Sequence, residues 1–180
     1  MQITPTPFSG LFLITPKVFG DQRGYFFEAW NEKQWADAGI QAAFVQDNQS
    51  GSMANVIRGL HFQVPPHAQA KLVRVVRGGV LDVVVDLRRK EPTFGQHFSV
   101  ELSDKNHQML YIPEGFAHGF RTLENDTVFF YKCTQFYHKE SERSILWNDP
   151  DLGIDWGTDK PILSEKDQDA PLFRNFNSPF

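Results

Sequence analysis

The stretch Lys71–Leu87, KLVRVVRGGVLDVVVDL, decides the fold class because both of its halves are rich in β-branched residues. The glycine pair Gly78-Gly79 separates the halves and predicts a tight hairpin between two strands. In the second half one face carries only aliphatic side chains, those of Leu81, Val83, Val85 and Leu87. Asp82 and Asp86 lie on the opposite face, so the alternation predicts a half-buried antiparallel strand.

The rest of the chain continues in short β-rich runs that are punctuated by Gly, Pro and Asp. The clearest of these runs are Phe98–Leu102, Met109–Ile112, Gly119–Leu123 and Thr127–Tyr137. Helical signal is confined to Glu32–Ala38, which Asn31 can cap, and to a turn that Ser164 can cap. Many short strands with almost no helix predict an all-β sandwich or barrel of the jelly-roll type with a few short helices. Such a barrel holds a cavity at one mouth, where we expect the chemistry.

Composition limits the classes of protein that the chain can be. Its 180 residues, 41% hydrophobic and 22% charged, suit a single domain over residues 1–180. The net charge of −4 argues against nucleic acid as a partner. The only cysteine, Cys133, cannot form an intrachain disulfide. No apolar run is long enough to span a membrane, and the N-terminus shows no charged region followed by the apolar core of a signal peptide. We therefore expect a soluble, cytoplasmic protein with no membrane partner.

The loop at Pro65-Pro66 separates two residues that can carry chemistry. Because two prolines cannot lie in a central strand, His61 is predicted to end one strand and Lys71 to begin the next. Lys71 shares a face with Val73 and Val75, so it points inward if the valines do. A buried lysine is costly unless it meets an anion or a developing negative charge, which favours a functional role.

The run Thr127–Tyr137 supplies a third candidate. Its alternation groups Phe129, Tyr131 and Cys133 on one face, which we predict to line the barrel interior. Tyr131 then presents a hydroxyl that can give or take a proton. Taken alone, a core tyrosine or histidine is more often structural than catalytic. Three protonatable groups inside one barrel, Tyr131 with His61 and Lys71, favour a catalytic site instead.

The segment PEGFAH, Pro113–His118, matches the Pro-x-Gly-x-x-His pattern of cupin barrels. Metal-binding cupins pair this pattern with two histidines and a glutamate, and here that partner motif is degraded. Gln63 follows His61 where a second histidine belongs, and Lys71 occupies the position of the glutamate. A cation in a ligand position repels a divalent metal, so the sequence predicts no catalytic metal.

Seven motifs along the chain resemble the dTDP-4-dehydrorhamnose 3,5-epimerase family. They are DQRGYFFE (21–28), FVQDNQSGS (44–52), RGLHFQVPPHAQAKLVRVVRG (58–78), PTFG (92–95), IPEGFAHGF (112–120), WNDP (147–150) and LSEKD (163–167). The resemblance implies a cupin-type jelly roll that acts on a 4-keto-6-deoxy sugar carried on dTDP. The C3 and C5 hydrogens of that sugar are both α to the C4 carbonyl, so enolate chemistry can invert both centres without a cofactor.

The same resemblance implies roles for individual residues. His61 is the base, Tyr131 the acid on the opposite ring face, Lys71 lies near the carbonyl, and Asp167 holds the His61 tautomer. The implied substrate-binding residues are Arg23, Phe26, Glu28, Gln46, Asn48, Arg58, Lys71, His118, Tyr137, Glu142 and Lys166. Among these, Phe26 and Tyr137 are expected to stack on the thymine.

One conflict arises on the strand before the proline loop. A regular strand would put Arg58 and His61 on opposite faces, although both are expected in the site. Gly59 between them permits a bulge that brings both to one face. The sequence therefore predicts an irregular strand here.

Family members are homodimers, and the resemblance implies that about 30 N-terminal residues reach across to the neighbouring barrel. Arg23 and Phe26 would then serve the site of the partner subunit. Four alternatives remain open at the level of sequence: an epimerase that inverts one carbon, a ketoisomerase on the same barrel, a non-catalytic sugar-binding cupin and a metal-dependent cupin. The identity of the nucleoside is open as well.

Overall fold

The chain forms thirteen strands and two short α-helices in a computed structural model that describes all of residues 1–180. The strands are β1 (Gln2–Pro5), β2 (Phe12–Thr15), β3 (Phe19–Asp21), β4 (Gly24–Phe26), β5 (Gln46–Ser52), β6 (Ile57–Gln63), β7 (Lys71–Arg77), β8 (Gly79–Asp86), β9 (His97–Ser103), β10 (Met109–Ile112), β11 (Phe116–Thr122), β12 (Thr127–Cys133) and β13 (Glu142–Ser144). The helices are α1 (Glu32–Asp37) and α2 (Glu165–Gln168). No helix is both long and apolar enough to cross a membrane.

Two antiparallel sheets make the barrel. One has the strand order β1-β2-β10-β7-β12-β5, the other has the order β13-β6-β11-β8-β9, and β3 and β4 form a separate hairpin. The main core lies between the sheets, because its members come from the inward faces of both. They include Val73, Val75, Leu110 and Phe129 from the first sheet and Val80, Val84, Leu102 and Phe116 from the second. The all-β jelly-roll prediction is confirmed.

The predicted hairpin at Gly78-Gly79 is wrong. β7 pairs with β10 and β12, whereas β8 pairs with β11 and β9, so the glycines carry the chain from one sheet to the other. Gly78 has a φ of +80°, and a Cβ atom there would meet the Thr127 side chain at 2.5 Å. The turn therefore needs glycine both for its backbone conformation and for space.

The prediction of a half-buried β8 is also wrong, because both faces of the strand are covered. The outer aliphatic face packs under the C-terminal segment in a second core that includes Leu152 and Trp156. On the inner face, Asp82 and Asp86 are completely buried instead of solvated. Each aspartate has a side-chain partner, which is what allows a carboxylate to lie inside the barrel.

Smaller predictions have mixed outcomes. Asn31 does cap α1 by accepting from the Gln34 amide, and Ser164 does cap α2. The first helix ends one residue earlier than predicted, and β12 ends at Cys133, which leaves Tyr137 in the following loop. His61 lies two residues before the end of β6 instead of at its end.

Candidate active site

A cavity of about 560 Å³ opens at the mouth of the barrel. Strands from both sheets line it, together with the loop after β12 and helix α2. Ten of the predicted site residues meet there: Gln46, Asn48, Arg58, His61, Lys71, His118, Tyr131, Tyr137, Glu142 and Asp167. Its volume lies within the range of sites that bury a small-molecule ligand.

His61 and Asp167 form a tight pair on one wall of the cavity. His61 Nε2 lies 2.5 Å from Asp167 Oδ1, and the aspartate is 4% exposed while the imidazole is 31% exposed. Ser164 Oγ donates to the other carboxylate oxygen at 2.9 Å, which fixes its orientation. Burial by itself would raise the pKa of Asp167, but the hydrogen bond and charge of His61 hold it below its ordinary value. The carboxylate accepts the Nε2 proton, so Nδ1 is left free to take another.

Gly59 resolves the conflict between Arg58 and His61. Its φ of +137° is open only to glycine, and a Cβ atom there would collide with the backbone of Gly119. The pairing register between β6 and β11 shifts at this point, as the predicted bulge requires. Both side chains consequently line the cavity. The Arg58 guanidinium donates to Ser52 Oγ at 3.2 and 3.3 Å and has no carboxylate partner.

Lys71 and Tyr131 lie side by side within the cavity, on neighbouring strands. Lys71 Nζ is 5.9 Å from the centre of the Tyr131 ring and makes no hydrogen bond or ion pair within the chain. Burial lowers the pKa of Lys71, and the neighbouring acidic groups Cys133, Asp82 and Glu142 oppose that change. Burial raises the pKa of Tyr131, so the phenol keeps its proton at neutral pH. The inward orientation predicted for both residues is confirmed.

His118 belongs to a second imidazole–carboxylate pair, which sequence reasoning missed. His118 Nε2 lies 2.9 Å from Asp82 Oδ2, and both side chains are buried. His118 pairs directly with His61 across β11 and β6, so the two imidazoles face the same cavity. Burial raises the pKa of Asp82, and the interactions of the carboxylate with His118 and Lys71 counteract that rise. The parity of Asp82 with Val80 and Val84 was the available signal, because two valines on its face indicate an inward orientation.

Glu142 organises the outer rim of the cavity. It accepts a hydrogen bond from the Tyr137 hydroxyl at 3.1 Å, and its other oxygen is 2.6 Å from Lys166 Nζ. Burial would raise the pKa of Glu142, but the hydrogen bond and charge of Lys166 lower it. Gln46 accepts from the Tyr137 amide and donates to Asn48, which completes a polar rim. Lys166 reaches this rim through Glu142 and does not itself line the cavity.

Besides Lys166, three predicted binding residues lie outside the cavity of this chain. Arg23 and Phe26 lie on the exposed β3–β4 hairpin, and Glu28 follows it. The Phe26 side chain is 69% exposed, and Arg23 is held by Asp21 through two guanidinium nitrogens. The fold of a single chain therefore brings together the barrel residues but not the hairpin residues.

The assembled cavity suits proton transfer next to an anion. It presents an imidazole that is oriented by a carboxylate, a protonated phenol and two cations, Arg58 and Lys71, that form no direct ion pair. No three His, Cys, Asp or Glu side chains converge anywhere in the chain as ligands of a metal ion would. Unpaired cations in a cavity attract a phosphate or stabilise a developing enolate.

Comparison with known proteins identifies the family. Residues 5–175 match the family model described as dTDP-4-dehydrorhamnose 3,5-epimerase. The chain is 51% identical to the dTDP-4-dehydrorhamnose 3,5-epimerase of Salmonella typhimurium, with 96% of this chain and 95% of that protein aligned. The crystal structure of the Elizabethkingia anophelis enzyme of the same name aligns with a TM-score of 0.92 at 51% identity, over 97% of each chain.

Two further solved structures bear on the substrate. The dTDP-6-deoxy-D-glucose-3,5-epimerase of Legionella pneumophila, in complex with dTDP-4-keto-L-rhamnose, aligns with a TM-score of 0.94 and 46% identity over 98% of this chain and 94% of that one. A 3'-monoepimerase from Streptomyces bikiniensis, in complex with dTDP-quinovose, aligns with a TM-score of 0.89 and 34% identity over 93% and 86%. This chain belongs to the dTDP-4-dehydrorhamnose 3,5-epimerase family.

Proposed function

We propose that this protein converts dTDP-4-dehydro-6-deoxy-D-glucose to dTDP-4-dehydro-L-rhamnose by inverting C3 and C5. The observation that carries the proposal is the meeting of His61, Tyr131 and Lys71 in one cavity, with Asp167 bound to the imidazole. Family membership supports the same reaction, as does the ligand of the Legionella relative.

His61 removes a proton from a carbon next to the C4 ketone. The imidazole takes the proton on Nδ1, and the electron pair of the broken C–H bond moves onto the C4 oxygen as an enolate. Tyr131 then donates its phenolic proton to the same carbon from the opposite ring face, which inverts the centre and returns the ketone. His61 then releases its proton to water and the Tyr131 phenolate takes one from water, after which a second round at the other carbon completes the reaction. A positioned base or acid contributes roughly 10²–10⁴-fold to such a step.

Lys71 and Asp167 support this proton transfer without exchanging protons with the sugar. The Lys71 ammonium donates to the C4 oxygen, where negative charge develops in the transition state. Asp167 keeps the base in the tautomer with a free Nδ1 and stabilises the imidazolium that forms. The ketone already acidifies both C–H bonds, so we propose a reaction that needs no metal or other cofactor.

The remaining cavity residues bind the nucleotide half of the substrate. Arg58 suits the diphosphate because its planar guanidinium donates to two oxygens at once. Lys166 adds a positive group at the rim, His118 offers its free imidazole nitrogen, and Tyr137 offers an aromatic face to the thymine. The side chains of Gln46, Asn48 and Glu142 supply further polar contacts.

We propose a homodimer in which the β3–β4 hairpin of one subunit covers the cavity of the other. The exposure of Phe26 and Arg23 supports this, because an aromatic ring in free solvent contributes little until a second surface covers it. In the dimer, Phe26 would stack on the base, Arg23 would bind the phosphates, and Glu28 would hydrogen-bond to the substrate.

Deuterium incorporation tests the reaction. In D₂O, the wild-type protein with dTDP-4-dehydro-6-deoxy-D-glucose should incorporate label at both C3 and C5 and yield the L-rhamno product by NMR. Label at one carbon only would assign the protein to the single-centre epimerases, which the match to a 3'-monoepimerase keeps as the second candidate. Binding of the nucleotide sugar without any label would indicate a sugar-binding cupin.

A further inference from the structure

We propose that Asp82 is a positioning residue of this active site, which orients His118 and balances the charge of the Lys71 ammonium from beneath the cavity. The proposal rests on the proposed function, and it adds a residue that does not itself line the cavity.

The hydrogen bonding of Asp82 is incomplete. The residue lies on the inner face of β8 between Val80 and Val84, and its side chain is completely buried. One oxygen accepts from His118 Nε2 at 2.9 Å, while the other, Oδ1, has no hydrogen-bond partner. A buried carboxylate oxygen without a partner is destabilising, and native structures rarely keep one without a use.

The charge that Asp82 can balance is that of Lys71. The titratable groups in and beneath the cavity, besides Lys71, are Arg58, His61, Asp82, His118, Tyr131, Cys133, Tyr137, Glu142 and Asp167. The acidic groups that act on the ammonium are Cys133, Asp82 and Glu142, and two of these three are otherwise engaged. Glu142 is bound to Lys166, and burial raises the pKa of the Cys133 thiol, which keeps it neutral. Asp82 is the remaining counter-ion.

Asp82 and Lys71 support each other's ionised form. Burial lowers the pKa of Lys71, which favours the neutral amine, and the Asp82 charge opposes that change. Burial likewise raises the pKa of Asp82, and the interactions of the carboxylate with His118 and Lys71 oppose that rise. A neutral Lys71 could not stabilise an enolate as a cation does. Without the charge of Asp82, Lys71 should lose its proton at a lower pH, so the activity should also disappear at a lower pH.

Asp82 also orients the second imidazole. Because the carboxylate accepts the Nε2 proton of His118, the ring presents an unprotonated Nδ1 as an acceptor. His118 lies directly opposite His61 in the strand pairing, and His61 is held by Asp167 through the same ring nitrogen. The substrate therefore meets two imidazoles that are oriented in the same way.

Asp82→Asn tests the charge role, because it keeps the shape and removes the carboxylate. We expect the alkaline limb of the kcat profile to move to lower pH by about one unit, with a roughly tenfold lower kcat above that limb. The control is Asp86→Asn, on the same strand and equally buried, whose partners are Arg88 and Thr93 outside the cavity. This control should lower stability and leave the alkaline limb unchanged.

Two results would overturn the charge role: a folded Asp82→Asn protein with the wild-type limb, or the same shift in both variants.

The tautomer of His118 is measured on the wild-type protein, so this test does not depend on whether a variant folds. In ¹⁵N-histidine NMR, the His118 signals, assigned by their absence in His118→Gln, should show a protonated Nε2 and a bare Nδ1. The reverse tautomer would overturn the orienting role. Absence of deuterium exchange in the wild-type protein would instead refute the proposed function and leave this tautomer test standing.

Discussion

The barrel cavity and the β3–β4 hairpin hold two parts of the predicted site, and their charged groups are held in opposite ways. In the cavity, His61 is bound by Asp167, a buried residue 106 positions later in the chain. On the hairpin, Arg23 is bound by Asp21, two positions earlier and in solvent. The cavity geometry is thus fixed by the packing of one chain, whereas Arg23 on the hairpin is held by a local contact in solvent.

The largest effect is expected where the cavity depends on long-range packing. His61→Asn should lower deuterium exchange at both carbons by at least about 10³-fold, because no other group can replace a positioned base. Asp167→Asn should cost about tenfold to a hundredfold, since the base remains but its tautomer and imidazolium are no longer stabilised. Exchange rates measured by NMR in D₂O give both values.

A larger loss in His61→Asn than in Asp167→Asn would distinguish the base from the residue that positions it. Circular dichroism and nucleotide binding should show that both variants keep the fold and the cavity. Full exchange in His61→Asn would remove this residue as the base. An Asp167→Asn protein with wild-type rates would mean that the short contact is structural only.

The buried ion pair between Asp86 and Arg88 lies outside the cavity, so it tests what a buried carboxylate contributes to stability alone. Asp86 accepts from the Arg88 side chain and from Thr93, and these hydrogen bonds lower its pKa although burial opposes them. Asp86→Asn should therefore lower the free energy of unfolding by about 2 kcal/mol at pH 7.

The pH dependence of that loss follows from the sign of the pKa shift. A carboxyl whose pKa is lowered on folding stabilises the protein above its unfolded pKa of about 3.9, and this contribution disappears as the pH falls through the folded value. The difference between the wild-type and Asp86→Asn proteins should shrink below about pH 4 in urea unfolding curves. A difference that is constant with pH would show that the charge of Asp86 is not what stabilises the barrel.

The sequence predicted the cavity better than it predicted the sheets. Alternation along β7 and β12 correctly oriented Lys71 and Tyr131, because a residue that shares a face with core aliphatic side chains must point inward. The pairing of strands was not predictable in the same way. Gly78-Gly79 marks a turn in either topology, and only the partners of β7 and β8 decide whether that turn closes a hairpin or changes sheets.

Asp82 shows why the second imidazole pair was missed. An aspartate in an alternating strand usually marks the solvated face, and the C-terminal segment that covers the other face of β8 lies more than 60 residues away. Its partner His118 lies 36 residues further along the chain. The valines on the Asp82 face indicate that this face can be buried, but the residue that pairs with the carboxylate depends on the whole fold.

Mixing two inactive variants tests whether the hairpin acts across subunits. Arg23→Ala should raise KM strongly because a phosphate contact is lost, and His61→Asn should be inactive. After unfolding and refolding together in equal amounts, half of the dimers are mixed, and each mixed dimer has one complete site if the hairpin serves its partner. Activity should therefore return to about a quarter of the wild-type level.

The matched control is a mixture of Asp167→Asn and His61→Asn. Both of these changes lie on the barrel side of one site, so a mixed dimer still has no barrel with both residues intact. Activity per total protein should stay at half the level of Asp167→Asn alone, because half of the barrels carry the inactive His61→Asn change. Failure of the Arg23→Ala mixture to recover would mean that the hairpin folds onto the cavity of its own chain.

The smallest effect is expected at the exposed ion pair of the hairpin. Hydrogen bonds from the Arg23 side chain lower the pKa of Asp21, but both groups are fully solvated, so the pair adds little to stability. Asp21→Asn should leave the melting temperature unchanged, unlike Asp86→Asn. It should lower KM by no more than about twofold, because the Asp21 carboxylate no longer competes with the substrate phosphate for Arg23. High salt should abolish this decrease in KM, since it screens the exposed ion pair. An increase in KM would reverse the interpretation: Asp21 would then orient the guanidinium toward the partner's cavity, and the hairpin would be preorganised in the same way as the barrel.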